Sequence, residues 1–203
     1  TPNMARNANI LGVAREVAAL TGVPLKAPSY EVAWDGPPIA GRVSLTIRQP
    51  DLNPRFVLGL IEGVTPGPSP YEIQRRLRLA GMRPINNVVD ATNYAMLEIG
   101  EPLHAFDFDV LCRRAGPRAP EIITRLPAPG ERLTTLDGVE RALDDFTVLV
   151  ADTAGALSIA GVMGGAESEV GPTTRNVLLE GAAWNFINIR RTLASHKLSS
   201  EAG

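Results

Sequence analysis

Residues 147–162 read Thr147-Val148-Leu149-Val150-Ala151-Asp152-Thr153-Ala154-Gly155-Ala156-Leu157-Ser158-Ile159-Ala160-Gly161-Val162. The two apolar runs, 147–151 and 157–162, have the length and the branched side chains of short strands, with a polar and glycine-containing break between them. The same pattern continues outward. Residues 122–126, 133–136 ahead of the Asp137-Gly138 turn, and 177–180 are further strand candidates, so the latter half reads largely as sheet. Earlier in the chain, Val43-Ser44-Leu45-Thr46-Ile47 alternates as a half-buried strand does, and Phe56-Val57-Leu58-Gly59-Leu60-Ile61 adds another.

Helical signals fall on both sides of these runs. Ile10, Val13, Ala14, Val17 and Leu20 recur at helical spacing before Gly22 and Pro24. Ser69-Pro70-Tyr71-Glu72 combines an N-cap serine, a proline at the first helical position and a glutamate placed to close a capping box. Ile73, Leu77 and Ala80 form the apolar face of that helix, and Gly81 and Pro84 end it. Residues 86–99 read as a shorter helix closed by Gly100 and Pro102. Phe186, Ile189 and Leu193 space a last one behind the N-cap Asn185. Helices and strands mix without the regular alternation of a parallel sheet, and there is no internal repeat, so the expected class is α+β.

The 203 residues, 44% hydrophobic and 21% charged, match a folded globular chain able to bury a substantial core. A single cysteine, Cys112, rules out an internal disulfide. With only His104 and His196 beside it, no conventional zinc set can be assembled, so no metal is expected. The cysteine usage fits a reducing cytoplasm, and no apolar run approaches the roughly 18 residues that span a bilayer. The net charge of −2 argues against strong independent nucleic-acid binding. Arginines do cluster at 75, 76, 78 and 83, and Arg190, Arg191 and Lys197 form a second group; solvated helix faces are the simplest account of both. The chain opens at Thr1 without an initiator methionine and stops at Gly203 straight after a helical pattern, which reads as a piece of a longer protein.

Several residues could carry chemistry, each with an ordinary structural explanation beside it. His104, in Glu101-Pro102-Leu103-His104-Ala105-Phe106-Asp107, is an imidazole near carboxylates, suited to a base or to a hydrogen-bonded core position. His196, next to a lysine on an exposed helix pattern, is expected to be structural. Asn86, Asn87, Asp90, Thr92 and Asn93 form a polar cluster that could cap a helix or orient a ligand. Ile159-Ala160-Gly161-Val162-Met163-Gly164-Gly165 places small residues after a strand, as a tight turn or as a close backbone approach to a ligand. It has neither phosphate-loop nor dinucleotide spacing. Glu180, in Leu178-Leu179-Glu180-Gly181-Ala182, ends an apolar strand, where a carboxylate either finds a partner or emerges into solvent.

Taken together, Gly81-Met82-Arg83-Pro84-Ile85-Asn86-Asn87-Val88-Val89-Asp90, Thr92-Asn93-Tyr94 and Pro102-Leu103-His104-Ala105-Phe106-Asp107 resemble the bacterial phenylalanyl-tRNA synthetase beta subunit. The likeness continues through Leu136-Asp137-Gly138, Ala160-Gly161-Val162-Met163-Gly164-Gly165 and Leu179-Glu180. It begins at Thr1-Pro2-Asn3 with the 11–16 helix, and so covers nearly the whole chain. The resemblance implies that residues 1–203 form a single tRNA-editing domain. The implied fold is three-layer α+β with a β-sandwich-like centre, also seen in part of tRNA lysidine synthetase.

The implied activity is hydrolysis of tyrosine mischarged onto phenylalanine tRNA. A hydrophobic pocket rejects an added hydroxyl only by about 10², so a second site must read that hydroxyl positively. By resemblance Glu180 reads the phenol as a charged acceptor, and Ala160 and Gly161 shape the slot for the ring. Thr92, Asn93 and His104 match family positions near the scissile ester, there to hold the terminal adenosine and position water for attack, and Arg83 steadies its loop or contacts RNA. The implied partners are the tRNA and the alpha subunit of the full synthetase, with no membrane. No cofactor is required by this region; ATP and Mg serve the whole synthetase elsewhere. The competing reading is a noncatalytic module that docks subunits or supports tRNA.

Overall fold

The computed structural model describes residues 2–198; Thr1 and residues 199–203, where the resemblance begins and the last helical pattern ends, lie outside the described residues. The chain divides into two compact units, residues 1–38 with 68–103 and residues 39–67 with 104–203.

The first unit is helical. Helix α1 (Ile10–Thr21) starts on Asn9, whose side chain accepts from the Gly12 N–H at 2.7 Å, and ends at left-handed Gly22. A Cβ at Gly12 would stand 2.0 Å from the Arg6 carbonyl, so only glycine fits there. The apolar stripe of α1 faces out among the described residues, with Ile10 67% and Leu20 85% exposed.

Helix α2 (Tyr71–Leu79) forms where expected, but the expected capping box does not. The Ser69 hydroxyl is instead drawn to the buried carboxylate of Asp90, 2.6 Å away, and Glu72 pairs with Arg75 and Arg76 on the surface. Helix α3 (Asn87–Ile99) is capped by Asn86, whose side-chain oxygen accepts from the Val88 and Val89 N–H groups, and ends at left-handed Gly100. Helices α1 and α2 both pack on α3.

The second unit is built on two sheets. Strands β1 (Ser44–Ile47), β4 (Glu121–Arg125), β7 (Leu149–Ala151), β8 (Ala156–Ile159) and β9 (Met163–Gly164) form one in the order β1-β4-β7-β8-β9. Only the β1–β4 pairing is parallel. Strands β2 (Arg55–Ile61), β10 (Val177–Ala183) and β3 (Leu103–Asp107) form the other, in the order β2-β10-β3. A hairpin of β5 (Arg132–Thr134) and β6 (Glu140–Ala142) turns at Asp137-Gly138 as expected.

One core joins the two sheets, with Phe56, Phe106 and Leu178 from the three-stranded sheet meeting Ile122, Val150 and Leu157 from the five-stranded one. A second core, of Leu149, Ile159 and Val162, packs the far face of the larger sheet against Ile189 of helix α5 (Phe186–His196). Sheet, sheet and helix thus stack as the expected layers. A register shift between β7 and β8 passes from the Val150–Ser158 pair to Ala151–Ala156. It leaves Leu157 as the extra residue and turns its side chain into the first core.

The short strands β6 and β9 were not expected, and neither were two elements that matter more to the site: β3 lies inside the His104 segment, and helix α4 (Phe108–Ala115) follows it at once. Asp107 makes the junction: its side chain accepts from the Val110 N–H at 3.0 Å, capping α4, and from the Thr174 hydroxyl at 2.5 Å.

Candidate functional site

The strands of the three-stranded sheet decide which side chains stand together. Glu180 on β10 is paired with Leu58 on β2, and Leu178 with Leu60. On the other side, the Phe108 N–H donates to the Asn176 carbonyl at 2.9 Å, so the end of β3 meets the start of β10 and the neighbouring strands run antiparallel. Counting back from that bond sets Phe106 level with Leu178 and His104 level with Glu180. The shared core of Phe106, Leu178, Leu58 and Leu60 agrees with this count. Directly opposed residues on one face of a sheet have Cβ atoms about 5 Å apart, so acid and imidazole are cross-strand neighbours.

Glu180 is buried and His104 half-buried, and each carries an enclosed polar atom without a partner, His104 Nε2 and Glu180 Oε2. Burial pushes the Glu180 carboxyl up to about 8 and the His104 imidazole down to about 4. At neutral pH the empty site therefore holds a protonated acid beside a neutral ring. Desolvation is the cause at Glu180, and it favours the neutral carboxyl over an anion.

The far wall comes from the turn after β8. His104 stacks edge-on to Phe106, with ring centroids 4.4 Å apart. A Cβ at Gly164 would lie 2.5 Å from His104 Cε1 and 3.0 Å from Nε2. Gly164 is thus glycine because the imidazole occupies the space a side chain would need. Its carbonyl accepts from the Leu136 N–H at 3.0 Å, which brings the Leu136-Asp137-Gly138 turn to the same wall. Nothing in the sequence singles out Gly164 within its glycine run, because contact with a residue sixty positions earlier is not local.

Ala160 and Gly161 have packing roles. Ala160 belongs to the core between the sheets. Gly161, at φ +65°, is the turn residue, and a Cβ there would meet Trp184 at 2.8 Å and Ile189 at 3.0 Å. The remaining candidates lie on the first unit. Thr92 on α3 is buried and donates its hydroxyl to the Val89 carbonyl at 2.8 Å, leaving its oxygen lone pairs free to accept. Asn93 is half-buried on the same helix, and Arg83 is exposed in the turn between α2 and α3. The structure therefore brings His104 and Glu180 together on one unit, and places Thr92, Asn93 and Arg83 on the other.

His196 is a correction. Its side chain is 6% exposed, not on a solvated face, and Nε2 lies 3.2 Å from the Thr147 hydroxyl and 3.6 Å from an Asp144 carboxylate oxygen. Desolvation lowers its pKa against the opposing pull of Asp144.

The described clefts of the second unit lie elsewhere. One of about 510 Å³ is lined by Arg114, Glu131, Gly155 and Ser168, and a neighbour of about 470 Å³ by Arg48, Arg125 and Asp152; neither includes His104 or Glu180. Orphaned polar atoms weigh more than volume here, since each costs about 1–3 kcal/mol unless a ligand or water pairs with it. Among the described residues no cluster of three or more His, Cys, Asp or Glu side chains could hold a metal, and no helix is long and apolar enough to cross a membrane.

Comparison with known proteins identifies a family. A model of the B3/4 domain matches residues 52–203. Over its whole length the chain is 52% identical to the phenylalanine–tRNA ligase beta subunit of Moorella thermoacetica, and it is 46% identical over 96% of its length to that of Symbiobacterium thermophilum. It spans only 24% and 21% of those proteins. The fold is similar, with a TM-score of 0.50 and 18% identity, to an N-terminal fragment of the phenylalanyl-tRNA synthetase beta subunit from Pyrococcus horikoshii. That match covers 96% of this chain and 59% of the fragment.

Proposed function

We propose, from the premise that this chain belongs to the B3/4 domain family, that it is the editing module of a phenylalanine–tRNA ligase, releasing tyrosine wrongly esterified to phenylalanine tRNA. The observation that carries the proposal is the His104–Glu180 pair with an enclosed, unpartnered polar atom on each residue. A wholly apolar amino acid leaves both orphaned. A phenol supplies the partner that Glu180 lacks, because a protonated carboxyl and a phenol can each donate and accept.

The pairing of neutral groups contributes about 0.5–1.5 kcal/mol, and phenylalanine in the same slot leaves the buried carboxyl unpaired, so selection comes as much from that penalty as from the bond. The ester is activated, so hydrolysis needs chiefly a placed water. Water adds to the acyl carbon, the bond to the ribose oxygen breaks, and that oxygen takes the proton. His104, neutral at pH 7, can accept a hydrogen bond from water or from a ribose hydroxyl. With burial holding its pKa near 4 it is a weak base, so its role is positioning more than proton removal. By resemblance, Thr92 and Asn93 serve near the ester with His104, holding the terminal adenosine and positioning water, Arg83 steadies its loop or contacts RNA, and Ala160 and Gly161 shape the slot for the ring. The partners would be the tRNA and the alpha subunit, in the cytoplasm.

A complete ligase carrying His104→Ala in this chain is expected to accumulate tyrosine on phenylalanine tRNA. Unchanged release of tyrosine by that variant would remove His104 from the reaction. A noncatalytic docking module is the second reading, favoured by the exposed stripe of α1; it predicts that even the unmodified ligase releases no tyrosine from the tRNA.

A further inference from the structure

The helical unit presents a cationic ridge that the editing pair does not use. Between Tyr71 and Arg83 stand four arginines, Arg75, Arg76, Arg78 and Arg83, against the single carboxylate of Glu72, in a chain whose net charge is −2. The inward positions of α2 explain why the ridge exists. Leu77 is fully buried and Ile73 half-buried, so the helix is pinned by that face and the intervening positions must point to solvent. Tyr71, Arg75 and Arg78 fall at i, i+4 and i+7 and share one outer face. Tyr71 is 72% exposed, so most of this aromatic side chain faces solvent.

The arginines differ in how they are held. Arg76 is committed, donating to the Tyr94 hydroxyl and to Glu72 and lying 5.9 Å from the centre of the Tyr94 ring. Among the described residues, Arg75 pairs with the exposed Glu72 at 3.5 Å and Arg78 donates to Gln74 at 2.9 Å. Exposed pairs of this kind are weak and yield readily to a polyanion. Arg83, in the following turn, is exposed as well.

We infer that the Tyr71–Arg75–Arg78 face of α2 is an RNA-docking surface, the two guanidinium groups taking consecutive backbone phosphates and the Tyr71 ring stacking on an unpaired base. The aromatic ring favours RNA over an acidic peptide, since a peptide would use the charges and leave the ring idle, whereas single-stranded nucleic acid uses both. The low net charge of the chain keeps such a contact local and secondary, one that orients an RNA held elsewhere. The inference rests on the tRNA partner proposed above.

The test measures affinity of the full 203-residue chain for uncharged phenylalanine tRNA across a salt series. Arg75→Gln/Arg78→Gln is expected to weaken binding roughly tenfold at low salt and to flatten the dependence of log K on log salt by about 1.5. Tyr71→Ala should weaken it about tenfold with the slope kept. Glu72→Gln should tighten it, a gain that unfolding cannot mimic. Affinity and slope equal to the unmodified chain in all three variants would overturn the surface. So would poly-glutamate binding as tightly as tRNA with Tyr71→Ala silent. If the three effects appear but a ligase carrying the chain releases no tyrosine, the editing proposal fails and the surface stands.

Discussion

Two buried carboxylates, one in each unit, are treated in opposite ways. Asp90 on α3 is 1% exposed and both oxygens are paired, one with the Ser69 hydroxyl at 2.6 Å and the other with the Ile85 N–H at 2.7 Å. Glu180 on β10 is 6% exposed, one oxygen has no partner, and burial raises its pKa to about 8. The first arrangement is complete: it ties the start of α2 and the loop after Arg83 to α3. The second is open and has a neutral imidazole beside it. A satisfied acid holds a fold together, whereas an unsatisfied one waits for a ligand.

The contrast can be broken most severely at Asp90. Asp90→Ala strands the buried Ser69 hydroxyl and the part-buried Ile85 N–H and should cost about 3 kcal/mol, read from urea unfolding of the chain. A loss under 1 kcal/mol would show that the Ser69–Asp90–Ile85 network is incidental.

Glu180→Gln should act in the other direction. With a folded value near 8 against 4.5 in the unfolded chain, the native state keeps a proton that the unfolded state releases. Stability from this group is therefore undiminished below pH 4.5 and falls as pH rises toward 8, by about 3 kcal/mol at pH 7. The amide cannot ionise, so the variant should be more stable than the parent at neutral pH and lose tyrosine recognition at the same time.

His104 sharpens this through its opposite sign. Its folded value near 4 lies below the ordinary 6.5, so its contribution is full above pH 6.5 and is lost as pH falls toward 4. The two slopes oppose each other between about pH 4.5 and 6.5, and above that only Glu180 remains. The parent chain should thus lose about 2 kcal/mol between pH 6.5 and 8, and Glu180→Gln should abolish that loss. An unchanged profile in the variant would mean that Glu180 is not the buried acid described.

Gly164→Ala should give the smallest effect, about 1–2 kcal/mol of destabilisation, because the added Cβ meets the imidazole at 2.5 Å and the ring must shift. Tyrosine recognition should suffer more than stability. Full recognition in that variant would detach the Gly164 wall from the site.

What was legible in the sequence follows the range of the interactions. The C-terminus of α1 and both ends of α3 were readable because Gly22, Asn86 and Gly100 act within their own helices, whereas the Asn9 cap of α1 was not read. The Asp137-Gly138 hairpin and α5 behind Asn185 were readable for the same reason. Ser69 misled because its hydroxyl answers a carboxylate twenty-one residues away. β3 and α4 were hidden because Asp107 ends one and caps the other within a single residue. The site shows the same division. His104 and Glu180 were each visible as candidates, yet their alignment is a matter of register between distant strands, which no local pattern encodes. Only the ordered resemblance linked them.

The central claim, that Glu180 beside His104 reads a phenol, is tested most directly by calorimetric titration of this chain with free tyrosine and with phenylalanine. Tyrosine should bind at least tenfold more tightly, and Glu180→Ala should erase that difference while leaving the weak binding of phenylalanine. Equal binding of the two amino acids by the unmodified chain would contradict the account.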